Sequence, residues 1–373
     1  MLERNVHQDE PTAHVSSGLE RRATCSIAPP DLLAWLAMQG TVSEREAVLS
    51  AIATSAAMRS RRAVLGHFSR ELNQNIGLIG LVSLTEQGVS VYDNETNGRN
   101  FLPGVKKRAV GDPLATDPAV NEAFDGSSAT ASFFRDVLGR NSLDNAGMEL
   151  VSSVHYGVGF DNAFWDGSQM VYGDGSGRIF QVGGLTRAID VIAHELTHGV
   201  TEFTAGLVYS KQSGALNESF SDVFGTLVKQ YGLGQTAANA EWLIGEGILV
   251  SKLGLALRSM KRPGTAFAGD RQPGHMDQYV DLPDDNNPAN DNGGVHINSG
   301  IPNRAFYLAA MGLGGSAWEK AGKIWYSALT TKMGPHTQFA EAAQFTIDAA
   351  GELFGTDEQA VVRGAWTEVG VLS

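Results

Sequence analysis

The run His194-Glu195-Leu196-Thr197-His198 constrains this chain more tightly than any other five residues in it. It lies within DVIAHELTHGVTEFTAG, whose apolar positions recur at helical spacing from about Asp190 onward. On an α-helix, residues four apart share a face, so two imidazoles are held on one side of a rigid rod and aimed at one point. Neutral imidazole is a good zinc ligand, which makes a metal-binding helix the first reading. The competing reading is a surface helix with two unrelated histidines. In a chain with 9 histidines among 373 residues, the pentapeptide alone leaves both open.

The next helical stretch, GALNESFSD, favours the first. It supplies Glu218, with Asp222 one turn later. Two histidines and one carboxylate leave the fourth tetrahedral position for water, which marks a catalytic zinc rather than a closed structural one. A structural site prefers thiolates, and Cys25 is the only cysteine. Glu195 lies one residue round the helix from His194, so it flanks the metal instead of binding it. Asp222 is placed to accept an N–H bond from a ligand histidine and fix its ring; the bland reading is a helix-surface carboxylate.

Around this helix the chain divides in two. Short strand-like runs, LIGLVSL and VSVYD, alternate with Gly and Asn clusters ahead of it, and VSSVHYGVGF, GSQMVYGDGSG and RIFQVGG continue the pattern. One helix interrupts them, opened by Asp117-Pro118 and stopped by Gly139. Beyond Tyr209 the pattern is helical at 215–231, 299–311, 317–333 and 338–354, broken by a polar loop over 261–294. The fold class is therefore α+β: a β-rich first half and a helical second half joined by the central zinc helix. Ahead of both lies a small helical unit, in which Ser43 and Glu46 form a capping-box pair. The expected divisions are a disordered extension at 1–22, a compact unit at 23–63, a β-rich domain at 64–206 and a helical domain at 207–373.

Bulk properties narrow the partners. A formal charge of -13 argues against nucleic acid. The longest apolar runs, near 76–84 and 32–38, fall well short of the ~18 residues that span a bilayer. A single cysteine excludes an intramolecular disulfide. The amino terminus, MLERNVHQDEPTAHVSSGLERR, lacks the apolar core of a signal peptide, so synthesis in the cytoplasm is expected, with leaderless export the alternative. Asn94-Glu95-Thr96 fits a glycosylation acceptor, which that context makes noise.

Four blocks in this order, NAFWDGSQMVYGDGSG, IDVIAHELTHGVTEFTAGLVY, SGALNESFSDVFGTLV and DNGGVHINSGIPNRAFYL, closely resemble the thermolysin-like metallopeptidases. The likeness runs from about Val89 to the carboxyl terminus. It implies a two-domain thermolysin-like architecture and a zinc endopeptidase in which His194, His198 and Glu218 hold one zinc ion. Glu195 resembles the residue that takes a proton from the attacking water and passes it to the leaving amine. His296 resembles the histidine that stabilises the oxyanion, Asp291 the acid that keeps it protonated, and Tyr209 a second donor to that oxygen. Asn162 and Ala163 resemble the edge that pairs with an extended peptide. Arg258 resembles the arginine on the substrate carbonyl. Phe180, Val191, Ile244, Ile248 and Leu257 would line a pocket selecting cleavage before bulky apolar residues. Peptides and proteins are the implied substrates of a monomer. Two other classes compete, a catalytically silent binding protein on this fold and a small-peptide zinc hydrolase, but every matched catalytic position is intact.

The departures from the family are informative. Relatives carry a double calcium site near the zinc helix; Asp190, Glu241 and Glu246 match it, whereas Lys229, Leu243 and Gly247 stand where acids are expected. Calcium binding there is expected to be absent or weak. The amino-terminal unit resembles the short propeptide of the protealysin-like branch, which implies a zymogen whose own propeptide is its first partner and leaves room for a separate protein inhibitor. Its element Pro29-Pro30-Asp31-Leu32 is expected in the primed side of the cleft; Cys25, just ahead of it, offers a thiolate for zinc's open position, against the plainer reading of an ordinary buried or solvent-facing thiol. Removal would require a cut in the stretch 59–65, before Val64 or Leu65, or at Arg61-Arg62.

Overall fold

A β-rich front and a helical back are both present in the computed structural model, which describes residues 27–55, 88–94, 101–285 and 287–373. Cys25, the extension 1–22, the run LIGLVSL and the stretch 59–65 lie outside those residues.

Two helices come first, α1 (Pro30–Gln39) and α2 (residues 42–55). Pro30 stands at the first helical position, where its missing N–H costs no hydrogen bond. The cap of α2 differs from the sequence reading. Thr41, not Ser43, makes the box: the Thr41 amide and hydroxyl donate to Glu44 Oε2 at 2.6 and 2.7 Å, and the Glu44 amide returns a 3.4 Å bond to Thr41 Oγ1. The turn after Gly40 brings the helix start two residues forward, so Ser43 already lies inside it.

The front half is a mixed sheet of β1 (Val89–Asp93), β2 (Val105–Ala109), β3 (Leu150–Val154), β4 (Ala163–Trp165) and β5 (Met170–Tyr172), in the order β2-β1-β3-β5-β4. β1, β3 and β5 run parallel, while β2 and β4 close the two edges antiparallel. β4 is therefore an edge strand of the sheet, beside the zinc helix. α3 (Pro118–Leu138) covers the sheet, begun by Asp117, whose carboxylate accepts from the Ala119 amide, and ended by Gly139 in the left-handed conformation at φ 68°.

After a single turn, α4 (Gly184–Arg187), comes α5 (Ile189–Glu202), buried at every residue from Asp190 to Thr201. A helix so enclosed has no solvent face, so its histidines and glutamate must find partners inside. α6 (Lys211–Leu233) packs along it. Gly225 makes the approach possible: a Cβ there would lie 2.6 Å from the Asp190 carbonyl oxygen and 3.4 Å from His194 Cβ. The remaining elements pack around α6 or on one another: the two-stranded β6 (Leu243–Ile244) and β7 (Arg258–Ser259), α7 (Asp291–Asn298), α8 (Gly300–Leu313), α9 (Ala321–Thr331), α10 (Phe339–Leu353) and α11 (Thr356–Glu368). α11 was not expected. Its buried residues are only Val362, Ala365 and Trp366, a stripe too narrow to stand out, and Trp366 anchors it by stacking on Trp325 at 6.2 Å.

Candidate active site

α5 carries His194, Glu195 and His198, and α6 carries Glu218 and Asp222. The facing helices bring His194 Nε2 within 3.1 Å of His198 Nε2, and Glu218 within 3.5 Å of the first and 3.6 Å of the second. Among the described residues these three form the one group able to hold a metal ion, all buried, with ligand atoms within 4.8 Å of one another. The donor set fits zinc, and two orphaned atoms support it. Glu218 Oε2 and Glu195 Oε1 are buried with no hydrogen-bond partner, a costly arrangement for carboxylates unless a cation or water serves them.

The far nitrogens of both rings are committed. His194 Nδ1 lies 2.8 Å from Asp222 Oδ1; His198 Nδ1 lies 2.7 Å from Asn217 Oδ1 and 3.0 Å from Ser221 Oγ. With Nδ1 donating, each ring in its neutral form turns its Nε2 lone pair to the shared point. Electrostatics divide the pair. Burial opposes charge on His194, but the hydrogen bonds to Asp222 and Glu218 outweigh it and raise its pKa to about 9. His198, buried without an ionised carboxylate on Nδ1, is pushed down to about 3. Glu218 is held well below the usual carboxylate range, against burial, by the neighbouring His296, His198 and His194. Asn217 and Ser221 were missed by the sequence reading, although both sit in the same segment as Glu218.

Glu195 Oε2 accepts from the Trp165 amide at 3.1 Å, which fixes the carboxylate beside the edge strand β4. Burial raises its pKa to about 8. The second cluster comes from α7, whose first residues all lie in the left-handed region: Asp291 at φ 49°, Asn292 at 48°, Gly293 at 83° and Gly294 at 85°. Two of the four are not glycine, a strain of about 1–2 kcal/mol each that the Asp291 carboxylate offsets. Its Oδ2 accepts from the amides of His296 and Ile297 at 2.8 and 3.3 Å, and its Oδ1 sits 2.6 Å from His296 Nδ1. Burial opposes charge on His296, yet Glu218 and Asp291 raise it to about 9. Tyr209 Oη lies 3.1 Å from His296 Nε2 and donates to Glu218 Oε1.

Arg258 reaches the metal region from β7 and makes a bidentate pair with Asp222, Nε to Oδ2 at 2.7 Å and Nη2 to Oδ1 at 2.8 Å, leaving Nη1 unpaired. The expected pocket residues Phe180, Val191, Ile244, Ile248 and Leu257 are all buried, with Ile248 and Leu257 meeting at Gly245. Where calcium acids were sought, the Lys229 ammonium lies 3.3 Å from Asp190 Oδ2 and 3.6 Å from Glu246 Oε2, and Asp190 also accepts from the Gly245 amide at 3.1 Å. A lysine thus stands among the remaining carboxylates.

The amino-terminal helices meet this region directly. The Ile27 amide donates to the Ala163 carbonyl at 3.1 Å, the Ala28 amide to Asn162 Oδ1 at 3.2 Å, and Asn162 Nδ2 to Ser55 Oγ at 3.1 Å. Pro29 and Pro30 start α1; Leu32 is fully buried, and α1 packs against α7. Asp31 is buried too, and its Oδ2 accepts from the Arg271 amide at 3.1 Å. Trp35 lies over Gly269, where a Cβ would fall 2.5 Å from its Cδ1.

Known proteins are similar to this chain. Family models match in two blocks, "Thermolysin metallopeptidase, catalytic domain" at residues 83–202 and "Thermolysin metallopeptidase, alpha-helical domain" at residues 205–371. An "Extracellular metalloprotease" of Pectobacterium carotovorum subsp. carotovorum is 45% identical over 361 residues, covering 95% of this chain and 98% of that protein. "Protease PrtS" of Photorhabdus sp. (strain Az29) is 49% identical over 291 residues, 76% of each. The solved "Precursor of Protealysin, Metalloproteinase from Serratia proteamaculans" superposes with a TM-score of 0.80 at 44% identity, over 93% of this chain and 100% of that one.

Proposed function

The chain belongs to the thermolysin family of zinc metallopeptidases, and on that premise we propose that it is a zinc endopeptidase made latent by its own amino-terminal helices. His194, His198 and Glu218 form its zinc-binding triad. When bound, zinc supplies Lewis acidity that makes a water nucleophilic near neutral pH and polarises the scissile carbonyl.

The chain's own groups supply the rest. Glu195, held by the Trp165 amide, takes the proton from the attacking water and delivers it to the leaving nitrogen. His296, kept charged by Asp291, and Tyr209 donate to the oxyanion as it develops. A donor of this kind is worth roughly 10²–10³ in rate. Arg258 presents its unpaired Nη1 to a substrate carbonyl. Asn162 and Ala163 on the β4 edge pair with the extended peptide, and Phe180, Val191 and Leu257, with Ile244 and Ile248, select a bulky apolar residue after the scissile bond.

Latency rests on one observation: the Ile27 and Ala28 amides already occupy Ala163 and Asn162, the groups a substrate would use. Residues 23–63 are read as the inhibitory propeptide, 64–206 and 207–373 as the two halves of a monomeric enzyme. Mass spectrometry over time on the purified full-length chain tests this, with Glu195→Ala as control. Wild type is expected to lose the amino-terminal unit and then cleave an internally quenched, end-blocked peptide before Leu or Phe; Glu195→Ala should stay intact. A chain inactive on such peptides even after the unit is removed would refute the reading.

A further inference from the structure

Asp222 is asked to hold the metal ligand His194 and the substrate arginine Arg258 at once, and a carboxylate has about four lone-pair positions with which to do it. Three are taken by those two residues: His194 Nδ1 and Arg258 Nη2 on Oδ1, each at 2.8 Å, and Arg258 Nε on Oδ2 at 2.7 Å. The fourth is filled from a different helix. Asn303 Nδ2, on α8, donates to Oδ2 at 2.8 Å. Both side chains are buried, Asp222 at 0% and Asn303 at 1% exposure, so no bulk solvent replaces a missing donor.

We propose that Asn303 is a positioning residue for the zinc site, acting through Asp222 to fix the ring of His194 and the guanidinium of Arg258. Nothing about the residue advertises this role, since it reads as an ordinary polar position on an apolar helix. Its amide is oriented by chemistry, because only the NH₂ end can serve a carboxylate. Without the side-chain bond, Oδ2 keeps only Arg258, and the carboxylate can follow the guanidinium away from His194. The His194 Nδ1–H bond then weakens, and with it the tautomer that faces Nε2 to the metal.

A direct partner of a ligating histidine typically changes metal affinity 10–100-fold, and Asn303 acts one residue further out, through Asp222. The test uses the full-length chain in a Glu195→Ala background, which cannot cut itself, with zinc affinity read by competition against a chromogenic chelator. Asn303→Ala is expected to weaken zinc binding about tenfold, the lower end of that range, and Asn303→Leu, which keeps the volume and removes the donor, to do the same. In an Asp222→Ala background either change should add less than about twofold, because the residue through which Asn303 acts is gone. A merely structural role would lower the melting temperature of the metal-free chain while leaving the zinc constant untouched. That result overturns the proposal, as does equal weakening with and without Asp222. A wild-type chain that takes up no zinc would instead refute the metal site itself.

Discussion

Replacing Asp31 by asparagine tests the proposed amino-terminal latch at a buried carboxyl. The Asp31 carboxyl is 6% exposed, and no lysine or arginine pairs with it among the described residues; its acceptors serve only the Leu32 amide at 2.9 Å and the Arg271 amide at 3.1 Å. It faces Asp270 from the loop below and Asp291 from α7, the latter already engaged with His296. Burial and these acids raise its pKa from 3.8 to about 6. In the docked state Asp31 therefore binds its proton more tightly than when released. Its contribution to docking is complete below about pH 4 and is lost as pH rises through about 6. A shift of roughly two units is worth about 3 kcal/mol between acid and neutral pH. Asparagine removes the ionisation but has one oxygen for two amides, forfeiting a hydrogen bond worth about 1 kcal/mol. The balance of about 2 kcal/mol predicts a latch roughly thirtyfold tighter at pH 7 in Asp31→Asn, and the forfeited bond alone makes it about fivefold looser at pH 4. Hydrogen exchange of residues 27–39 in a Glu195→Ala background, corrected for intrinsic exchange at each pH, measures it directly. Protection that falls across pH 4–6 equally in both chains, or a variant that opens more readily at pH 7, would show that Asp31 carries no such burden.

Other perturbations follow from the same geometry. Lys229→Glu removes the ammonium between Asp190 and Glu246 and should create calcium dependence: millimolar calcium is expected to raise the melting temperature of the variant and leave wild type unmoved. At a hundredfold excess over its dissociation constant the ion would add about 2.7 kcal/mol. Gly225→Ala places a Cβ 2.6 Å from the Asp190 carbonyl oxygen, so α5 and α6 must part at a cost of about 1–3 kcal/mol, visible in chemical denaturation. Asp291→Asn should drop the His296 pKa from about 9, making kcat/KM fall at a lower pH on the alkaline side with zinc content unchanged; an unshifted profile would argue against the charge role of His296.

How much of this was legible beforehand depended on how far each signal reached along the chain. Local signals were read well: Asp117-Pro118 and Gly139 bound α3 as caps do, and the four-residue spacing of His194 and His198 was sufficient for the metal helix. Weak periodicity was read badly. β6 and β7 are two residues each, too short to alternate, and α11 shows too narrow a buried stripe to register. The Thr41 box was displaced to Ser43 because two acceptable box pairs overlap in TVSERE, and only the turn after Gly40 chooses between them. The residues proposed for the oxyanion show the deeper limit. Tyr209 and His296 meet across 87 positions, and no spacing rule reaches so far, so they were found by resemblance alone. Asn217 and Ser221 were within reach. They repeat on α6 the four-residue step of Glu218 and Asp222, one residue earlier, so the two pairs occupy neighbouring stripes facing α5. Glu218 meets both imidazoles, Asp222 holds the outer nitrogen of His194, and Asn217 and Ser221 hold that of His198. A helix that must serve two histidines on a buried neighbour needs acceptors on two adjacent stripes, and NESFSD supplies both. That inference could have been drawn from six letters, whereas Asn303, arriving from α8, could not.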